Sequence, residues 1–130
     1  MARIYRATGD TAVRNKAAYL MTEWGKTVKP NGDCGMRHYA FDKLLCGLVD
    51  MQLYAGVREA APLLEKSTDW ARKTFEHENM FVDPSHNTHY YGLPQEWYTL
   101  SENLYRAYQL TRDVKCKSFA ETWLYHKYWG

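Results

Sequence analysis

Four acidic residues stand where paired-carboxyl chemistry could be built: Asp42, Asp50, Glu96 and Glu102. Two carboxyl groups facing one bond can divide the work, one as a proton donor and the other as base or nucleophile. Glu96 and Glu102 are the catalytic candidates. Each also has a simpler role open to it. Glu96 falls in the first turn of an expected helix, where its charge favours the helix dipole. Glu102 lies at the edge of an apolar stripe, where it can face a cleft or pair with Arg106 one turn on. Asp50 sits in the most apolar segment of the chain, where a buried carboxylate needs a partner, and a structural hydrogen bond is expected for it.

The segment Asp83-Pro-Ser-His86-Asn-Thr-His89-Tyr90-Tyr91-Gly92 gathers two imidazoles and two phenols. Such groups offer donors and flat stacking faces to sugar hydroxyls and rings, and they equally suit a polar surface loop. His86, His89, Tyr90 and Tyr91, with Trp97 and Tyr98, are the candidate substrate contacts. His86 and His89 alone are too few ligands for a metal site, and no cofactor is expected. At the other end Trp123, Tyr125, His126, Tyr128 and Trp129 crowd together. Some of them are expected to pack against a following hairpin, or else to form an aromatic platform.

Helices must position these groups. Val13, Ala17, Leu20, Met21 and Trp24 recur at spacings of three and four and predict a helix over 11–27. It is capped by Asp10 or Thr11 and ended by Pro30-Asn31-Gly32. A second helix is expected over 36–54, apolar around most of its circumference and so enclosed on several sides, with Gly56 as its stop. A third spans 58–77; Pro62 is tolerated only in a first turn, so its start lies near Glu59 or Ala60. Residues 79–93 read as a long loop. Two further helices fill 94–129, separated at Thr111-Arg112-Asp113. No stretch shows strand alternation. The chain reads as one all-α domain of about five helices.

An internal echo refines this. Tyr5-Arg-Ala-Thr8-Gly-Asp10 followed by Ala17 recurs at one fixed offset as Tyr108-Gln-Leu-Thr111-Arg-Asp113 followed by Ala120, and Arg14 meets Lys117. A looser copy lies at Leu53-Tyr54-Ala55-Gly56. Each copy marks a turn between two helices, with Thr and Asp oxygens capping the helix that follows. The unit is a helical hairpin of ~50 residues, repeated about two and a half times.

These turns resemble those of six-hairpin glycosidases, together with Lys43-Leu-Leu-Cys-Gly47-Leu-Val-Asp50 and Glu102-Asn-Leu-Tyr-Arg-Ala-Tyr-Gln-Leu-Thr111-x-Asp113. The group most similar is the β-L-arabinofuranosidase-like set, glycoside hydrolase family 127 and its relatives. The resemblance runs from Tyr5 to Tyr128 but spans only part of a whole family member. It implies a partial (α/α)6 toroid, with inner helices lining a pocket and outer helices wrapping it, and action on arabinose-type or related glycans. Two departures stand out. The family's His-Lys is Asp42-Lys43 here, and its Gly-Gly-Met-Asn-Glu is Tyr98-Thr99-Leu100-Ser101-Glu102, which retains the final Glu without the glycines. The family's cysteine nucleophile and clustered zinc cysteines have no counterpart, since Cys34, Cys46 and Cys116 are scattered.

About five helices are fewer than half of a closed ring. An open arc exposes the apolar sides of its end hairpins, and at ~25 cal/mol per Å² a few hundred Å² rivals the whole stability of a small domain. The expectation is therefore a truncated glycosidase relative without turnover of its own, pairing into a homo-oligomer. The alternative is a helical-hairpin module that binds a protein partner or self-associates.

Composition narrows the remaining classes. Seventeen basic against fifteen acidic residues leave a formal charge of +2, with no basic block to suggest nucleic acid. No apolar run approaches the ~20 residues of a membrane span. The opening Met1-Ala2-Arg3 leads into polar sequence without a signal-peptide core. Three unpaired thiols suit a reducing compartment.

Overall fold

The computed structural model describes residues 1–75 and 99–124. These form six helices and no strand: α1 (Ala2–Thr8), α2 (Thr11–Gly25), α3 (His38–Ala55), α4 (Ala60–Thr74), α5 (Leu100–Thr111) and α6 (Val114–Glu121). The all-α expectation holds, and the short α1 adds a helix that its seven residues are too few to announce by periodicity.

Successive helices pair as hairpins, α1 with α2, α3 with α4 and α5 with α6. The odd-numbered helices also pack in a row, α1 on α3 and α3 on α5, while α4 touches α6 behind them. Helix α3 thus lies against neighbours on several sides, as its nearly all-round apolar sequence requires.

The turns explain why the hairpins form. Thr8 Oγ donates back to the Ile4 carbonyl at 2.8 Å, and its oxygen accepts from the Asp10 amide at 3.2 Å. Asp10 then caps α2 by accepting from the amides of Ala12 and Val13. Thr111 and Asp113 repeat this, with 2.8 Å to the Ala107 carbonyl, 3.2 Å between the Asp113 amide and Thr111, and a cap on the Lys115 amide. Between Thr and Asp the chain must turn left-handed: Gly9 has φ 73° and Arg112 φ 62°. The looser copy at Gly56 (φ 61°) lacks the Thr–Asp pair and closes differently. There the amides of Gly56 and Val57 both reach the Met51 carbonyl and the Val57 side chain is buried.

Boundaries shift by small amounts with identifiable causes. Helix α2 ends at Gly25, where Thr27 folds back on the Trp24 carbonyl in a tighter turn. Helix α3 begins at His38 because Arg37 is extended. Helix α4 starts at Ala60, which puts Pro62 in its first turn. The loop before α3 presses onto α4: a Cβ on Gly32 would sit 2.2 Å from the Lys66 carbonyl oxygen, so only glycine fits.

The core is aromatic at one end. Phe75 contacts Phe41 and Trp70 edge-on, and its ring lies 6.3 Å from that of Phe119 and 6.4 Å from that of Trp123. Trp123 is fully buried here. The rings of Phe75 and Phe119 lie against it.

Candidate functional site

The row of odd-numbered helices carries a continuous polar seam. Asp42, Cys46 and Asp50 are spaced by four on α3 and share one face. Thr99, at the start of α5, and Asn103 and Arg106, within it, face them; Arg3 joins from α1. Asp42 is fully buried and accepts from Thr99 Oγ1 (2.8 Å), Asn103 Nδ2 (2.7 Å) and Lys43 Nζ (3.1 Å). The Asn103 carbonyl oxygen in turn accepts from Arg106 Nη1 at 2.9 Å. Arg106 Nη2 donates to Asp50, and Arg3 Nε donates to the other oxygen of Asp50 at 2.6 Å. The same two guanidiniums approach Cys46 Sγ, Arg106 at 3.3 Å and Arg3 at 3.7 Å.

Each charge in this seam has an answer. Hydrogen bonding to Asp50 and the attraction of its charge hold the Arg3 guanidinium above its ordinary pKa. Burial pulls Arg106 down, but its bonds to Asp50 and Cys46 outweigh that and leave it raised. Asp50 has the structural partner expected of a carboxylate in an apolar helix, and it has two.

This arrangement is a clamp between helices. Asp42 and Asp50 lie eight residues apart on one helix, ~12 Å along its axis. That exceeds the ~5–9.5 Å that separates the two carboxyl groups of glycosidases. Their oxygens are already occupied by donors, and Asp42 has no exposed surface.

Of the candidates read from sequence, Glu102 is described, in the first turn of α5 and exposed to solvent. Arg106, the partner open to it one turn on, turns instead to Asp50, where two ionised neighbours and partial burial make the stronger bond. Glu96, His86, His89, Tyr90, Tyr91, Trp97 and Tyr98 lie outside the described residues, as do Tyr125, His126, Tyr128 and Trp129. Sequence reasoning missed Arg3, Thr99 and Asn103. For Asn103 a signal existed: it sits beside Leu104 on the buried stripe, where a polar side chain must find a partner.

Among the described residues no three His, Cys, Asp or Glu side chains converge to hold a metal ion. Cys46 is flanked by two guanidiniums, which repel a cation, and Cys116 is buried in α6. No described helix is long and apolar enough to cross a membrane. No family model, curated protein or solved structure matches this chain.

Proposed function

We propose that this chain is an arc of helical hairpins, related to the six-hairpin glycosidases, that recognises arabinose-type or related glycans without turning them over. The observation that carries this reading is the division of labour among the carboxylates. Asp42 and Asp50 are consumed by the seam, while Glu102, which matches the retained Glu of the family segment, stands exposed at the start of α5. One exposed carboxylate can accept hydrogen bonds from a pair of sugar hydroxyls. Hydrolysis asks for two within reach of one bond.

Titration with arabino-oligosaccharides, followed by tryptophan fluorescence, tests the reading. A saturable change at millimolar sugar that Glu102→Gln weakens supports it. A flat response to arabinosides and related sugars removes it, and release of free sugar would replace binding with catalysis.

Self-association is a second reading with its own support. The α1–α2 hairpin leaves Ile4 at 54%, Tyr19 at 58% and Leu20 at 47% exposure. Apolar side chains at the end of a hairpin row suit stacking on another hairpin, in a second copy or a partner. Light scattering across a concentration series separates the two, since a mass fixed at one chain rules out pairing of copies.

A further inference from the structure

Counted back from the left-handed residue that closes each odd-numbered helix, Gly9, Gly56 and Arg112, the three helices fall into register. Six residues back stand Arg3, Asp50 and Arg106, so the ion row of the seam is one position read three times. Eight and five residues back stand Met1 and Ile4 on α1, Leu48 and Met51 on α3, and Leu104 and Ala107 on α5. The last four are at most 7% exposed, whereas Met1 and Ile4 are 49% and 54% exposed. On the even-numbered helices the exposed Leu20 matches the fully buried Trp123, which packs on His38 and Phe75 of the α3–α4 hairpin.

The neighbour makes the difference. Helix α3 packs on α1 and α5 packs on α3, while no described helix precedes α1 in the row. The bare positions on α1–α2 are those that an earlier hairpin accompanies in the other two.

Arg3 shows what an occupant must carry. Its Nε and Nη2 edge is spent on Asp50, but among the described residues nothing accepts from Nη1, and the side chain is 63% exposed. Arg106, by contrast, spends Nη1 on Asn103 and Cys46. The free edge of a guanidinium suits a second carboxylate. Arg6 and Lys16 are exposed on the same hairpin, whose own carboxylates are taken, Asp10 by capping α2 and Glu23 by Lys26.

We propose that Met1, Ile4 and Leu20 form a docking face for an amphipathic helix of a different protein, one that sets a carboxylate against the open edge of Arg3. This rests on the stacking reading above and names a partner in place of a second copy. Two copies face to face would oppose Arg3, Arg6 and Lys16 to their like, and copies stacked end to end would bring Arg106 where an acid is needed.

The probe is a synthetic peptide of residues 38–75, the α3–α4 hairpin that accompanies the matching face of α5–α6 and carries Asp50. Amide NMR of the labelled full chain is expected to show saturable shifts at Arg3, Ile4 and Leu20. Ile4→Asp in the chain, at an exposed position, should weaken binding roughly tenfold. Asp50→Lys in the peptide should weaken it at least roughly fivefold. Light scattering of the chain alone should give the mass of one chain at every concentration. Association of copies that Ile4→Asp abolishes would keep the stacking reading and overturn the partner. A fixed single-chain mass without peptide shifts overturns both. Equal binding of the Asp50→Lys peptide, or shifts centred on Asn103 and Arg106 through displacement of α3, would also overturn the assignment.

Discussion

Asn103 donates to the buried Asp42 across the α3–α5 interface at 2.7 Å, while its carbonyl oxygen accepts from Arg106. One amide therefore joins two carboxylate centres, since Arg106 goes on to Asp50. Because both faces of the amide are used, its orientation is fixed by its partners.

Removing the acceptor should be costly. Asp42→Ala strands the donors of Asn103 and Thr99 in a site without exposed surface. We expect a loss of about 3 kcal/mol in urea unfolding, in the range for orphaned buried donors beside a lost charge. Glu23, on α2 and paired with the exposed Lys26, supplies the comparison. Glu23→Ala should cost less than about 1 kcal/mol, as surface pairs do. Equal losses at the two sites would show that burial does not set the cost.

The twin turns give a reciprocal experiment. Gly9 and Arg112 hold the same left-handed position at φ 73° and 62°. A Cβ on Gly9 meets no atom within 4 Å, so Gly9→Ala isolates backbone strain and should destabilise by about 1 kcal/mol. Arg112→Gly should do the opposite and raise stability by a few tenths to about 1 kcal/mol. Asp10→Ala and Asp113→Ala should each cost about 1 kcal/mol through the lost cap. Thermal unfolding of the four variants checks all of these, and a stability loss in Arg112→Gly would contradict the equivalence of the turns.

Those turns were legible in sequence because their determinants are local. A hydroxyl, a left-handed residue and a carboxylate lie within three consecutive positions, so the echo of Thr8-Gly9-Asp10 in Thr111-Arg112-Asp113 carried the geometry with it. The helical stripes were equally readable, since burial of α3 follows from its own composition. The polar seam was not. Asp50 announced its need for a partner, but which cation would come was a matter of how three distant helices stack. Arg106 had Glu102 on its own helix and took Asp50 instead, a part-buried carboxylate on the neighbouring α3 where the ion pair is less screened than at the exposed Glu102. Trp123 shows the same limit, since Phe75, far along the chain, is brought against it only by the fold.

The three thiols should separate by reactivity. Burial, with Asp113 nearby, pushes the Cys116 thiol up to about 11, so it stays protonated at pH 8. Cys34 is also raised by burial but is half-exposed, and Cys46 is half-exposed beside two guanidiniums. A disulfide reagent at pH 8 should modify Cys34 and Cys46 in the folded protein and reach Cys116 only with global unfolding. Peptide mapping after timed quenching reads this directly, and early modification of Cys116 would contradict its burial.

The acid limit of stability should depend on His38. Its ring packs 4.8 Å from Phe75 and 5.5 Å from Trp123, its Nε2 has no hydrogen-bond partner, and its backbone stands at φ 36°. Burial, reinforced by the neighbouring Arg37, lowers its pKa below 6.5. The unfolded chain therefore takes up a proton before the folded one does. Stability is full above pH 6.5 and falls as the pH drops from there toward the lowered folded value. Urea midpoints measured from pH 7.5 to pH 5 should decline over this window, and the decline should flatten in His38→Phe, which keeps the aromatic contacts and removes the titrating nitrogen. A slope unchanged by that substitution would place the acid sensitivity in other groups.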